Sequence, residues 1–394
     1  MAGTGNFLAS SPDEVTIVVG THQLSGWQTV NIAKSCESMP NNWAVTASAQ
    51  FLQGDALAAT RPGQSCNIYI GSDLVITGWI DRRAIPIDAR NHQVTLSGRG
   101  ITRNLVDCSA DLVNDPALKG GMINGTNTLG VAQILTRAYG VTARSAVSDL
   151  GPAIPAFQVM LGETPYQIIE SMARYAGLLV YEDQNGALVL DRVGTKVHAS
   201  GFSLPGNIES INAERSVDQR HSDYLIVWYG VDQLADLGSL TNRRASKQDT
   251  TLGEYRLKII VSEQTAPSPN AAQQAVANDA IATQRANWEF ARRYGRSQAA
   301  SLTCDSWRDI AGTLWTPNML APIDAPAADI TGAQWIIGSV TYRKDMSGTH
   351  ADLILMPPEA FQPDPNPLNL FDAEVMRSPQ VSQSPAPPTT ANSP

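Results

Sequence analysis

The side chains that most often carry chemistry are present but scattered. The five histidines, His22, His92, His198, His221 and His350, form no i, i+2 or i, i+4 pair that would set two imidazoles on one face for a metal. Cys36, Cys66, Cys108 and Cys304 lie far apart with no C-x-x-C spacing, so they read as reduced, mostly buried thiols that pack as small hydrophobes. Glycoside hydrolysis would need two carboxylates facing each other across a cleft. The acids available are Glu163 and Glu170, which flank a capped helix, and Glu182-Asp183 in a hairpin turn. Acids beside a helix N-terminus complement its dipole, and acids in a turn are ordinarily solvated.

The motifs H-E-x-x-H, G-x-x-x-x-G-K-[ST] and G-x-S-x-G are absent. Gly120-Gly121-Met122-Ile123-Asn124-Gly125 has no lysine after it and reads as a surface loop rather than a phosphate cradle. The arginine pairs Arg82-Arg83, Arg243-Arg244 and Arg292-Arg293 are dispersed and lack interleaved aromatics, so they read as solvated faces or intersubunit ion pairs. No residue is therefore assigned a catalytic, cofactor-binding or metal-ligating role, and a non-enzymatic protein is expected.

Composition narrows the function classes in the same direction. Of 394 residues, 16% are Asp, Glu, Lys or Arg, well below the roughly 25% of an ordinary domain. Hydrophobic residues make up 43%, enough for real cores, and the length suggests two to four units. A net charge of -9 argues against sequence-independent coating of nucleic acid, which needs a basic face. No apolar run approaches the length of a bilayer span, and Met1 to Asn6 lacks the basic start of a signal peptide, so neither secretion nor membrane insertion is expected.

The elements that must position these residues alternate in type. Val15–Val19, Trp43–Phe51, Cys66–Ile70, Leu74–Ile80 and Gln93–Leu96 are short apolar-alternating runs between turn signals, the pattern of a small antiparallel barrel or sandwich. A helix capped by Thr126 or Asn127 follows. Then comes the capping box Thr164-Pro165-Tyr166-Gln167, with Ile169, Met172, Ala173 and Ala176 at helical spacing and Gly177 at the left-handed end. Leu178–Tyr181 and Ala187–Leu190, joined through Asn185-Gly186, form a hairpin. Strands return with Tyr224–Tyr229. A long Ala/Gln-rich helix is expected from Ser268-Pro269 to about Tyr294, stopped by Gly295, with Ala277, Ile281, Trp288 and Ala291 on one stripe. The final 38 residues hold 10 of the 24 prolines, and from Arg377 a disordered tail is expected.

A weak internal repeat links the two β regions. Ile76-Thr77-Gly78-Trp79-Ile80-Asp81-Arg82-Arg83 matches Ile336-Ile337-Gly338-Ser339-Val340-Thr341-Tyr342-Arg343, and each is followed by a strand at Gln93–Leu96 or Asp352–Leu355. His92 and His350 sit just before those strands, a shared turn position. The predicted fold is multidomain and mainly β. It comprises a first barrel (1–103), an α+β unit (104–198), a second barrel (199–231 and 300–358) interrupted by a helix-containing insertion (232–299), and a Pro-rich tail (359–394).

With these residues laid out, the chain resembles the baseplate hub proteins of contractile-tailed phages, specifically the Mu-like tail hub and the related late control protein D family. The resemblance rests on Arg61-Pro62-Gly63-Gln64, on Gly162 to Glu170 leading into Leu178–Tyr181, and on Leu314-Trp315-Thr316-Pro317-Asn318, Trp335–Gly338 and Leu353–Pro358, in that order and spacing. It implies a homotrimer in which two barrels per subunit make a pseudo-sixfold ring. Such a ring adapts the tail tube to a trimeric spike, touches baseplate wedge proteins and passes DNA through a channel. It further implies residence in the virion tail baseplate, assembly in the host cytoplasm, no cofactor and no sequence-specific nucleic-acid binding. The alternatives are a tail-associated cell-wall hydrolase and a peptidoglycan-binding module at 164–190.

Overall fold

A computed structural model describes residues 11–48, 54–88, 92–118, 120–151, 154–230, 243–264 and 271–363. The first β region supplies β1 (Val15–Val19), β2 (His22–Leu24), β3 (Thr29–Ser35), β4 (Asn42–Ser48), the short helix α1 (Gly54–Ala59), β5 (Ser65–Ile70), β6 (Asp73–Ala84) and β7 (Gln93–Gly100). Their side chains alternate as a pleated strand requires. Val15, Ile17 and Val19 of β1 and Cys66, Ile68 and Ile70 of β5 are buried, while the residues between them face outward.

The middle unit is α2 (Arg103–Asp107), β8 (Met122–Thr126), α3 (Thr128–Arg137), β9 (Ala143–Ser145), β10 (Ile154–Gln158), α4 (Pro165–Ala176), β11 (Leu179–Glu182) and β12 (Leu188–Asp191). Both halves of the α4 capping box form: the Gln167 N–H donates to Thr164 Oγ1 (3.2 Å) and the Thr164 N–H to Gln167 Oε1 (3.0 Å). Gly177 ends the helix at φ 67°. Asn127 is the α3 cap, its Oδ1 accepting the Gly130 N–H at 2.9 Å. Ile168, Ile169, Met172 and Ala173 bury against Val131 and Leu135 of α3 and Leu188 and Leu190 of β12, a core separate from that of the barrels. The Gly120 to Gly125 stretch is less loop than expected, because Met122–Thr126 pairs with β10.

The remaining elements are β13 (Phe202–Ser203), β14 (Ile208–Arg215), β15 (Asp223–Gly230), β16 (Arg243–Gln248), β17 (Leu257–Gln264), α5 (Ala271–Arg296), β18 (Gln298–Cys304), β19 (Leu320–Ala325), β20 (Ile330–Asp345) and β21 (Gly348–Met356). The second barrel runs β14-β18-β21-β20-β19 and the first β3-β4-β7-β6-β5, so the strand order repeats. The two hairpins of the repeat differ in register. Val340 pairs with Leu353 across the two-residue turn Met346-Ser347, whereas Ile80 pairs with Gly98 because a longer loop follows Ala84. The repeat is therefore one of topology, looser in residue-to-residue spacing than the sequence match implies.

Three expectations are corrected. Tyr224–Tyr229, read as a second-barrel strand, lies in β15, which pairs with β16 and β17 in a separate three-stranded sheet. A run rich in aromatic and branched residues fits either sheet, and only the pairing partners decide. Among the described side chains of α5 the buried positions are Ala282, Ala286, Glu289 and Gly295, while Trp288 and Ala291 of the expected stripe are half-buried, Trp288 donating from Nε1 to the Gln362 carbonyl at 2.8 Å. The side chains of Ala277 and Ile281 lie outside those described. Gly295 lies inside α5 and does not stop it. A Cβ there would overlap the backbone nitrogen of Ala360, because the turn Pro358–Phe361 packs against the helix.

That turn, expected to belong to the tail, is part of the folded unit. Ala360 and Phe361 are fully buried with Cys36 and Ile336. The disorder expected from Arg377 concerns residues outside those described. The Gly295 contact sets a test with opposing terms. In an open helix Gly→Ala gains about 1 kcal/mol, but here the overlap with Ala360 reverses the sign. Gly295→Ala is expected to destabilise by roughly 1–3 kcal/mol, read as a lowered melting temperature.

Candidate functional site: the seam between the two barrels

The outer edge of β3 pairs antiparallel with β20 from Val30↔Lys344 to Ser35↔Ser339, so the two barrels form one thirteen-stranded sheet. The sequence explains why the seam also has a shared core. Val30 and Ile32 on β3 and Val340 and Tyr342 on β20 all point inward, joining both barrels in a single apolar cluster. The Tyr342 ring meets Trp307 edge-on at 5.8 Å, and its hydroxyl donates to the Trp315 carbonyl. Complete burial pushes that hydroxyl far above its ordinary pKa, so it remains a donor. The indole N–H groups of Trp307 and Trp315 donate to the carbonyls of His350 and Ser306, both at 2.8 Å. Large rings can fill the seam because each polar tip is satisfied.

Arg308 clamps the same two bodies. From the β18–β19 connection its guanidinium donates to the Pro12 carbonyl (2.9 Å), the Ile70 carbonyl (3.1 Å), Asp13 Oδ1 (3.3 Å) and Asp73 Oδ2 (2.6 Å) of the first barrel. A further bond to the Gly312 carbonyl (2.8 Å) fixes it within its own loop. Only a planar guanidinium can reach so many acceptors at once. Nothing in the sequence around Arg308 marks this role, since its partners lie more than 230 residues away.

Glu182 fastens the α+β unit to the first barrel. It was expected in a solvated turn with Asp183, yet both are buried. Glu182 Oε2 accepts the Asn41 N–H (2.8 Å), and Oε1 the Thr102 N–H (3.1 Å). Gly100 is required beside it, because a Cβ there would occupy the carboxylate's place. Burial pushes the Glu182 carboxyl up to about 7, opposed by the two backbone donors and by Lys34, whose own ammonium burial pulls down. Asp183 closes its turn by accepting the N–H groups of Asn185 and Ala187 and pairs with Arg144.

Two constellations look catalytic until their remaining bonds are counted. His198 and Asp309 are buried with Nδ1 3.0 Å from Oδ2, the pair that orients a general base. The nucleophile's place at Nε2 is taken by the Thr316 backbone N–H at 3.3 Å. Burial pushes the Asp309 carboxyl up, but hydrogen bonds from His198 and the backbone N–H groups of Thr313, Ala199 and Ala311 outweigh it and leave its pKa lowered. On the surface, Ser347 Oγ lies 3.0 Å from His350 Nε2, and His350 Nδ1 lies 2.7 Å from Glu209 Oε2. Asp345, however, takes both the Ser347 hydroxyl and its N–H, the proton and half the oxyanion hole that catalysis would use. Its hydrogen bonds to Ser347 and Arg343 lower the Asp345 pKa to about 2, so it keeps them at neutral pH.

The other residues singled out by sequence also have structural partners. The Glu163 side chain accepts the Met160 N–H at 2.8 Å, and Glu170 pairs with Arg174 along α4. Arg292 donates to the carbonyls of Ala360 and Gln362 and Arg293 pairs with Glu289, so this pair ties the chain's own segments together rather than standing solvated. Arg83 donates to the Leu57 carbonyl at 2.6 Å, while Arg82 is exposed. The side chains of Arg243 and Arg244 lie outside those described. Cys36, Cys66 and Cys304 are buried thiols, and burial pushes Cys36 and Cys66 up to about 12. Among the described residues, no three His, Cys, Asp or Glu side chains group as metal ligands, and no helix is long and apolar enough to cross a membrane.

Tandem barrels of one strand order, fused edge to edge and flanked by an α+β unit and a helical insertion, define the class of tail-hub folds. Residues 14–100 match the family model for the N-terminal domain of Mu phage baseplate assembly protein GpP-like proteins. Residues 102–192 match the second domain of baseplate hub protein gp44-like proteins, and residues 278–364 the fourth domain of GpP. The baseplate hub protein gp44 of Escherichia phage Mu is 28% identical over 355 residues, 88% of each chain. The 43 kDa tail protein of prophage MuSo2 from Shewanella oneidensis aligns with a TM-score of 0.73 at 26% identity, over 89% of this chain and 99% of that one. A tail protein from Neisseria meningitidis MC58 shares the fold with a TM-score of 0.65 at 20% identity, over 90% and 98%. The chain belongs to the Mu-like baseplate hub proteins, and its role is a structural one in the hub of a phage-tail baseplate.

Three tests follow from the seam and its anchors. Arg308→Lys keeps the charge but not the fork, and is expected to lower stability by about 2–4 kcal/mol in denaturant unfolding. Glu182 has a folded pKa near 7, above its ordinary 4.5. Its stabilisation is thus complete below pH 4.5 and is lost as pH rises through 7. The linked change is about 3 kcal/mol, and in Glu182→Gln the fall in stability between pH 5 and pH 8 should flatten, with Lys34 still acting in the opposite sense. A fluorophosphonate probe should leave Ser347 unlabelled; labelling abolished by His350→Ala would show that the hydroxyl is reactive after all.

Proposed function

We propose that this chain acts as a homotrimer whose six barrels form a pseudo-sixfold ring between the tail tube and a trimeric spike, surrounded by baseplate wedge proteins. The observation that carries the reading is the repeated strand order of two barrels already fused by the β3·β20 seam, which is one third of such a ring. Three copies of a two-barrel chain present six similar units to a sixfold partner and three identical units to a threefold one, so a single protein matches both symmetries. The flanking α+β unit and insertion occur once per chain and therefore follow the threefold symmetry. The ring is assembled in the host cytoplasm and resides in the virion baseplate.

The low charge suits surfaces committed to neighbours, since interface cores are depleted of charged residues. The net charge of -9 per chain, tripled in the ring, suits a channel through which DNA slides without adhering, because acidic walls repel phosphates. Native mass measurement of the full chain should give three subunits, and the trimer should bind its spike partner. A protein that stays monomeric at high concentration and fails to bind a spike would overturn the reading.

A further inference from the structure

We infer that the outer edge of β14 receives the far end of β6 from a second copy of this chain, repeating between subunits the junction that β3 and β20 make within one. The inference rests on the trimeric reading and adds to it the two strand edges that meet. In the repeated order, β3 of the first barrel corresponds to β14 of the second, and β6 to β20. Within the chain, the outer edge of β3 is held by β20 along Ser339–Lys344. Among the described residues β14 is the last strand of the sheet, so over Ile208–Arg215 it pairs with β18 alone. Among the described residues the matching stretch of β6 beyond its bulge, Arg82 to Ala84, pairs only with β7. Each barrel class therefore has one seam edge filled within the chain and one left open, and the two open edges are counterparts of the two that already join.

Three further observations favour a second copy as the occupant. An eight-residue strand edge left open invites uncontrolled pairing, and natural sheets cover such edges. The charges suit each other: β14 exposes Glu209 and Glu214, while β6 ends in Arg82-Arg83. The chain after β6 also leaves two large apolar side chains in water, Ile85 at 38% and Ile87 at 68% exposure, where a neighbouring barrel would cover them. Because β14 meets β6 rather than another β14, the contact is head-to-tail. Repeated around a ring of three chains it fills both open seam edges of every subunit.

The test uses the full-length chain carrying Cys108→Ser, which removes the one thiol that is not buried. Ser210→Cys or Asn212→Cys on β14 is combined with Arg82→Cys or Ala84→Cys on β6, all exposed positions that cover neighbouring registers. A short bis-maleimide is then added, with native mass measured in parallel. The expected result is a ladder of covalent dimers and trimers from double variants and none from single ones. Trimers that none of the four pairs can join would overturn the edge assignment while leaving the trimer standing. A monomer by mass would remove both. Covalent dimers from a single β14 variant would place β14 against β14 and overturn the head-to-tail geometry.

Discussion

The hydrogen-bonded seam between β3 and β20 is the constraint on which the rest of the molecule depends. Strand pairing is directional and comes in a fixed register, so it sets the rotation and height of one barrel against the other far more tightly than an apolar contact would. Pairing Val30 to Ser35 with Ser339 to Lys344 brings Ile32 and Tyr342 into the same core, and that core then admits Trp307 and Trp315. Each ring is held by a polar bond at its tip, so the barrels cannot slide without leaving buried donors unpaired. The Arg308 clamp adds a second attachment on a different part of the first barrel, and two separate attachments remove the freedom to hinge.

Charge is scarce in this chain, and several of its charged and polar groups sit at the joints between units. Glu182 joins the α+β unit to the first barrel. Asn318, held at φ 64°, joins that unit to the second barrel through Asp191, Arg192 and Gly194. Arg292 and Arg296 bind the Pro358–Phe361 turn to α5, with Glu37 of the first barrel also in reach. The same requirement that buried polar groups be satisfied explains why His198–Asp309 is a fastener: the backbone has taken the nitrogen that catalysis would use. For a structural part of a baseplate hub, rigidity at the joints is the relevant property, and these groups supply it.

Much of this was legible locally. The α4 capping box, the Gly177 stop and the Leu178–Leu190 hairpin were readable because their interactions lie within a few residues. The tandem β regions were readable from alternation and from the Ile76 and Ile336 segments. What failed had long-range causes. The Tyr224–Tyr229 run carries no mark of which sheet it joins, Gly295 looks like a helix stop until Ala360 arrives against it, and Glu182-Asp183 looks like a solvated turn until the first barrel covers it.

The sequence by itself determined the elements, the family and the absence of any motif for catalysis, because periodicity, capping and motif spacing are properties of neighbouring residues. Only the tertiary structure decided that the two barrels are one sheet, that Arg308 spans them, and that among the described residues β14 pairs on one side alone. Those facts depend on which strand edges meet across some 300 residues of chain. An edge donor or acceptor is the same peptide group whatever the side chain beside it, so its partner cannot be read from residue type.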